Sequence, residues 1–208
     1  MMSANGKPTN LESPSMSNDE PTRFYAYGKM NAGIEAVMRL HSVKRWHMID
    51  TTRTQTLAEH SANVAVLAGY IASTAPEMYF GSGNEVRGLA VIHDMPEVFT
   101  GDIPTPTKQE MRHRAGLDAT QTLDNIETDI TPIEYFYRPE YNQRTLIKIC
   151  DLADGIRFIR LHGVDATAMH ARTGLEDQLK LQYRGVNLNW PRAVIEHVHT
   201  LINFYAYR

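Results

Sequence analysis

Cysteine is nearly absent: Cys150 is the only one in 208 residues. It cannot form a disulfide within the chain, so a reducing compartment is expected, and with it a cytoplasmic location. No apolar run approaches the length that a bilayer span demands, so no membrane association is expected. A net excess of positive charge is missing as well. The formal net charge is −3, which leaves no basic field to hold long nucleic acid, although a few local Arg and Lys residues can still grip a small anion. No alternating run reads as a strand, no segment repeats, and the one biased stretch is the N-terminal one. Met1 to Arg23 is rich in Ser, Asn, Pro and Met. It lacks the apolar core of a signal peptide and is expected to be a flexible tail, in which Met16 offers an alternative start.

What the chain does have is helical spacing. Hydrophobic residues make up 42% and charged residues 22%, proportions that suit one soluble domain over residues 24–208. Ile34, Val37, Met38 and His41 mark one face of a first helix. Leu57, His60, Val64, Leu67 and Ile71 mark a second, which should end near Pro76. Val86 to Ile92 form a third apolar segment running into His93 and Asp94. The stretch Thr100 to Pro106 contains two prolines and must turn. Gln109 to Ile130 is polar with sparse apolar positions and is expected to be helical. Further helices are expected around Leu146 to Ile156, Asp165 to Leu181 and Trp190 to Tyr205, with Pro191 suited to a first turn. One all-α domain, a bundle of about six to eight helices, accounts for this pattern.

Several polar residues interrupt the apolar faces. His60 lies on the buried side of its helix, where a lone histidine is more often packed than ligating. His93-Asp94 is a weak signal by itself. Asp151 breaks the apolar run from Leu146 to Cys150, and a buried carboxylate needs a cation or strong donors to offset several kcal/mol of desolvation. Together, His60, His93, Asp94 and Asp151 would offer a divalent cation two imidazoles and two carboxylates from three helices, leaving positions for water and a phosphate oxygen. Glu97 shares roughly the face of Asp94 if the helix continues, and Asp102 follows in the turn. Beside a metal, either acid can orient water or take its proton. Arg45 can grip phosphate in bidentate fashion, and Trp46 can offer a flat wall to a sugar or base. Lys148 precedes Asp151 by one turn and should point to the same side, while Lys108 closes the Thr-Pro-Thr-Lys turn. Lone lysines more often face solvent.

The order His60, His93-Asp94, Asp151 resembles the H…HD…D signature of the HD-domain phosphohydrolases. Arg45-Trp46, Thr52-Arg53-Thr54 and Glu59-His60-Ser61, followed by HDMPEVFTGDIPTPTK from His93 to Lys108, resemble the bacterial 5′-deoxynucleotidases within that superfamily. The close resemblance covers about Gly33 to Lys108 and resumes at Lys148 to Arg157. It implies an HD-domain helical bundle and a bound Co²⁺, Mn²⁺ or Zn²⁺, with Mg²⁺ a further candidate. It also implies phosphate contact by Arg45, deoxyribose packing by Trp46 where a 2′-hydroxyl would clash, and assistance to the attacking water by Glu97 and Asp102. Lys108 and Lys148 are similar to the phosphate-binding lysines of the phage-encoded dATP triphosphohydrolases, and such lysines occur in the bacterial 5′-deoxynucleotidases too, so they leave the number of substrate phosphates open. The stretch from Asp102 to Asp151 is nearer in length to the compact phage-type enzymes.

The resulting expectation is a metal-dependent phosphohydrolase of small 2′-deoxynucleotides, of the 5′-deoxynucleotidase type. A deoxynucleoside triphosphate triphosphohydrolase is the alternative, and a catalytically inactive nucleotide-binding HD module ranks below both. Met48, near Trp46, is the candidate base-reading side chain, although a flexible Met discriminates poorly. Which proton Glu97 and Asp102 each handle stays open. The resemblance also implies a homo-oligomer, while the aromatic segment Phe204 to Tyr207 is expected chiefly to close the chain's own core.

Overall fold

The computed structural model describes residues 38–104, 107, 108, 110, 111, 113, 114, 139–186 and 190–206. The N-terminal tail and most of the helix expected over Gln109 to Ile130 lie outside the described residues. Of the first expected helix, only its end is described. Met38, expected on the inward face, is 65% exposed, and Leu40 is buried.

The described chain is a helical bundle with one small ladder. Two short strands, β1 (Lys44–Arg45) and β2 (Gln55–Thr56), pair antiparallel with Arg45 opposite Gln55. No strand was expected. Two residues per strand carry no alternation, and the pairing is extended by backbone bonds from Leu57 to Val43 and from Ala58 to Leu40. The chain then enters α1 (Leu57–Ala72), where the Thr56 side chain accepts from the Glu59 N–H as N-cap. After the single turn α2 (Glu77–Phe80), Ser82 caps α3 (Gly83–Ile92) in the same way.

α3 does not continue through Glu97 as the shared-face argument assumed. Met95, Glu97 and Val98 donate to carbonyls three residues back, at Ile92, Asp94 and Met95. Pro96, with no N–H to give an α-helical ladder, sits in the middle of this tighter path. The chain reaches α4 (Glu97–Thr100) only after it. His93 and Asp94 are thereby held in a turn at the end of α3.

α5 (Tyr141–His162) runs well past both ends of its expected span. From Leu146 to Ile159 it is buried nearly all round, with Lys148 and Arg157 the exposed positions, so it is a helix enclosed by neighbours even though Asp151 and Asp154 interrupt its apolar surface. It packs against α1, α6 (Ala166–Arg184) and α7 (Arg192–Ala206). The main core joins Val64, Ala68 and Ile71 of α1 to Ile149, Leu152 and Ile156 of α5 and to Val194, Val198 and Ile202 of α7. At the C-terminal end Tyr205 packs on this core, while Phe204 is about half exposed. Among the described residues, no helix is long and apolar enough to cross a membrane.

Candidate metal centre and active site

The bundle brings the four expected ligands to one point. His60 comes from the first turns of α1, His93 and Asp94 from the turn after α3, and Asp151 from the middle of α5. One donor atom from each lies within 4.8 Å of all the others. His60 Nε2 is 3.1 Å from Asp151 Oδ1 and 3.5 Å from Asp94 Oδ2, and His93 Nε2 is 3.3 Å from Asp94 Oδ2.

Both imidazoles have their tautomer fixed from behind. His93 Nδ1–H donates to the Ala90 carbonyl at 2.7 Å, and His60 Nδ1–H donates to the Asp154 carboxylate at 2.7 Å. The two Nε2 atoms therefore face the centre as acceptors, each buried and without a hydrogen-bond partner. Nearby carboxylate oxygens can only accept as well. Two unpartnered imidazole nitrogens converging with two carboxylates are a donor set that a divalent cation satisfies. The residues present fit such an ion.

Cations of the chain itself stand next to this point. Arg45, mostly buried on β1, donates to Asp94 at 2.7 Å and lies 3.9 Å from Asp151, while its Nε is buried without a partner. Lys148 donates to Asp151 at 2.6 Å from one turn earlier on α5. Lys108 Nζ is 3.6 Å from Glu97 Oε1. The Asp102 carboxylate accepts from the backbone N–H of Trp46 at 3.3 Å. Trp46 itself has φ +63°, a left-handed conformation rare for a bulky residue. Its ring lies parallel to Phe158, with centroids 6.2 Å apart. Met48 is 66% exposed and is not part of the cluster.

Electrostatics follow from this crowding. Burial and, after it, the Arg45 charge push His60 toward losing its proton. The Asp151, Asp154 and Asp94 carboxylates outweigh both and raise its pKa to about 10. Burial pushes Asp94 and Asp151 up. At Asp94 the His93 charge, the His60 contact and the Arg45 charge overcome burial and the Asp151 charge, and at Asp151 Lys148 and the histidines overcome burial, so both are held well below the ordinary carboxylate range. Burial likewise acts against the charged Arg45, and its four acidic neighbours more than offset it. Glu97 goes the other way. Burial, then Asp94 and Asp102, push it up to about 8 against the pull of Arg45 and Lys108.

Three residues of the site were not anticipated. Asp154 accepts from Gln55 Nε2 at 2.8 Å and from Asn63 Nδ2 at 2.9 Å, besides His60. Gln55 Oε1 in turn accepts from Trp46 Nε1 at 2.7 Å. The available signal was spacing: Asp154 is three residues after Asp151 and Asn63 three after His60, so each shares a helical face with a ligand. Gln55, just ahead of α1, carried no comparable signal.

Similarity to known proteins agrees with this geometry. Residues 34–142 match the family described as 5′-deoxynucleotidase YfbR-like. The chain is 32% identical over 151 residues to a dATP triphosphohydrolase of Salmonella phage PMBT28, covering 68% of this chain and 73% of that protein. It is 40% identical over 128 residues to the 5′-deoxynucleotidase YfbR of Escherichia coli, covering 54% of this chain and 63% of that one. Among solved structures, the Cyanophage S-2L HD phosphohydrolase DatZ, bound to dA and one catalytic Zn²⁺ ion, superposes with a TM-score of 0.65 at 25% identity. That superposition covers 83% of this chain and 95% of DatZ. The family match over residues 34–142, the phage relative and the superposition on an HD phosphohydrolase place this chain in the YfbR-like family of HD-domain phosphohydrolases.

Proposed function

We propose that this enzyme hydrolyses 2′-deoxynucleotides at the α-phosphorus, releasing the deoxynucleoside. The observation that carries the proposal is the pair of tautomer-fixed imidazoles converging with Asp94 and Asp151 beside the buried, fork-shaped Arg45. A divalent ion held by His60, His93, Asp94 and Asp151 supplies Lewis acidity and lowers the pKa of water.

The chain's own residues supply the remainder. Arg45, with an unpartnered Nε and a hydrogen bond to Asp94, presents donors suited to phosphate oxygens. Lys148 and Lys108 add positive charge against that building on the transferred group. Water attacks phosphorus, the P–O5′ bond breaks and the leaving oxygen gains a proton. Glu97, whose Oε2 is buried without a partner, and Asp102 handle the protons of water and leaving group. Trp46, tied to Gln55 and lying over Phe158, walls the sugar where a 2′-hydroxyl would clash. In this reading the enzyme works as a homo-oligomer.

The triphosphate reading is the better supported of the two. Dedicated phage relatives named dATP triphosphohydrolases align with 68% and 69% of this chain, against 54% for the E. coli nucleotidase. Three cations around one metal also suit the several charges of a triphosphate tail. A monophosphatase is the second reading, favoured by the higher local identity of 40%. Product analysis decides between them. Incubation with dATP and dAMP in the presence of Zn²⁺, Co²⁺ or Mn²⁺ should release inorganic triphosphate from dATP. Orthophosphate from dAMP alone would assign the monophosphatase, and no product from either would reject the proposal. Equal rates on ribonucleotides would remove the role given to Trp46.

A further inference from the structure

Asp154 takes no part in the four-residue cluster, yet it is 5% exposed. Among the described residues, it has no Lys or Arg partner within ion-pairing distance. Its hydrogen bonds come from two neutral amides, Gln55 and Asn63, and from the His60 ring. A carboxylate buried on those terms needs a task, because apolar or amide residues would fill the space at less electrostatic cost.

We propose that Asp154 is a positioning residue for the metal centre: it holds His60 as the Nδ1–H tautomer and aims Nε2 at the cation, and Gln55 extends this hold to Trp46. The chemistry of the partners fixes every direction. A carboxylate only accepts, so His60 Nδ1 must carry the proton, and Gln55 Nε2 and Asn63 Nδ2 must donate. With its amide nitrogen so committed, Gln55 presents Oε1 to the indole N–H at 2.7 Å. Three consecutive hydrogen bonds thus join the aromatic wall to a metal ligand. A carboxylate behind a ligating imidazole fixes ring orientation and raises ligand basicity, and losing it commonly weakens metal affinity by about 10- to 100-fold. Asp154 sits one helical turn from Asp151, so α5 supplies both a ligand and the support for a ligand on α1. Asn63, one turn beyond His60, grips the other oxygen and keeps the carboxylate from rotating away.

This inference rests on the metal site of the proposed function and is tested without nucleotide. Zinc affinity of wild type and D154N is measured by competition with a chromophoric chelator, with folding checked by circular dichroism. D154N should bind about 10- to 100-fold more weakly. In the zinc-loaded wild type, ¹⁵N chemical shifts should show His60 protonated at Nδ1. Folded D154N with affinity within threefold of wild type would overturn the inference, as would an Nε2-protonated His60 in the wild type. That tautomer measurement decides the matter if D154N fails to fold. Wild type binding no zinc at all would instead overturn the metal site itself, a result distinct from equal binding by both proteins.

Discussion

At almost any position in a folded chain, glycine is less stabilising than alanine, and Trp46 should reverse that order. Its φ of +63° places an L-residue in the left-handed region, at a cost of roughly 1–2 kcal/mol for any residue with a Cβ. Replacing Trp46 by Ala and by Gly removes the same indole, the same contact with Phe158 and the same bond to Gln55. The difference between the two variants therefore isolates the backbone. Glycine removes the left-handed penalty but gives back about 0.4–1 kcal/mol through its freer unfolded chain. The net expectation is that W46G is more stable than W46A by about 0.5–1 kcal/mol, where an ordinary extended or helical site gives the opposite sign. Urea denaturation of both variants, metal-free and under identical conditions, measures it. W46G equal to or less stable than W46A would refute the strained conformation. With it would go the claim that the backbone at the aromatic wall is bent so that its N–H reaches Asp102.

Arg45→Lys keeps a positive charge but loses the planar fork, and kcat/KM at saturating metal should fall by at least about tenfold in steady-state assays. Glu97→Gln should lower kcat by about 10²- to 10⁴-fold while metal content, read by elemental analysis, stays at the wild-type level. Phe80 is 1% exposed and meets Trp190 edge-on with centroids 4.9 Å apart. F80A should therefore cost about 3–5 kcal/mol in chemical denaturation and leave zinc affinity unchanged.

Much of the fold could be read from spacing because the helices are strongly patterned. Leu57, His60, Val64 and Ile71 are all buried as their periodicity requires. The clustered polar residues were legible for a related reason: His60 and Asp151 interrupt otherwise apolar faces, where a polar residue needs a partner. Legibility failed where geometry depends on distant contacts. A two-residue ladder between Lys44–Arg45 and Gln55–Thr56 has no period to detect. The break after Ile92 follows from Pro96 and a run of tight turns, which apolar spacing alone does not show. Asp154 and Gln55 matter only because Gln55, Trp46, His60 and α5 meet in space. The grouping of His60, His93, Asp94 and Asp151 came from their residue types and placement, and the HD-domain resemblance added the enzyme family and the substrate class.

The central claim is that His60, His93, Asp94 and Asp151 hold one divalent cation. Reconstitution with excess Zn²⁺, Co²⁺ or Mn²⁺, followed by desalting and elemental analysis, tests it directly. Wild type should retain about one equivalent per chain, and folded D151N or H60N should retain essentially none, in line with a site that needs every donor. Wild type free of metal after reconstitution, or variants that keep the full equivalent, would contradict the account.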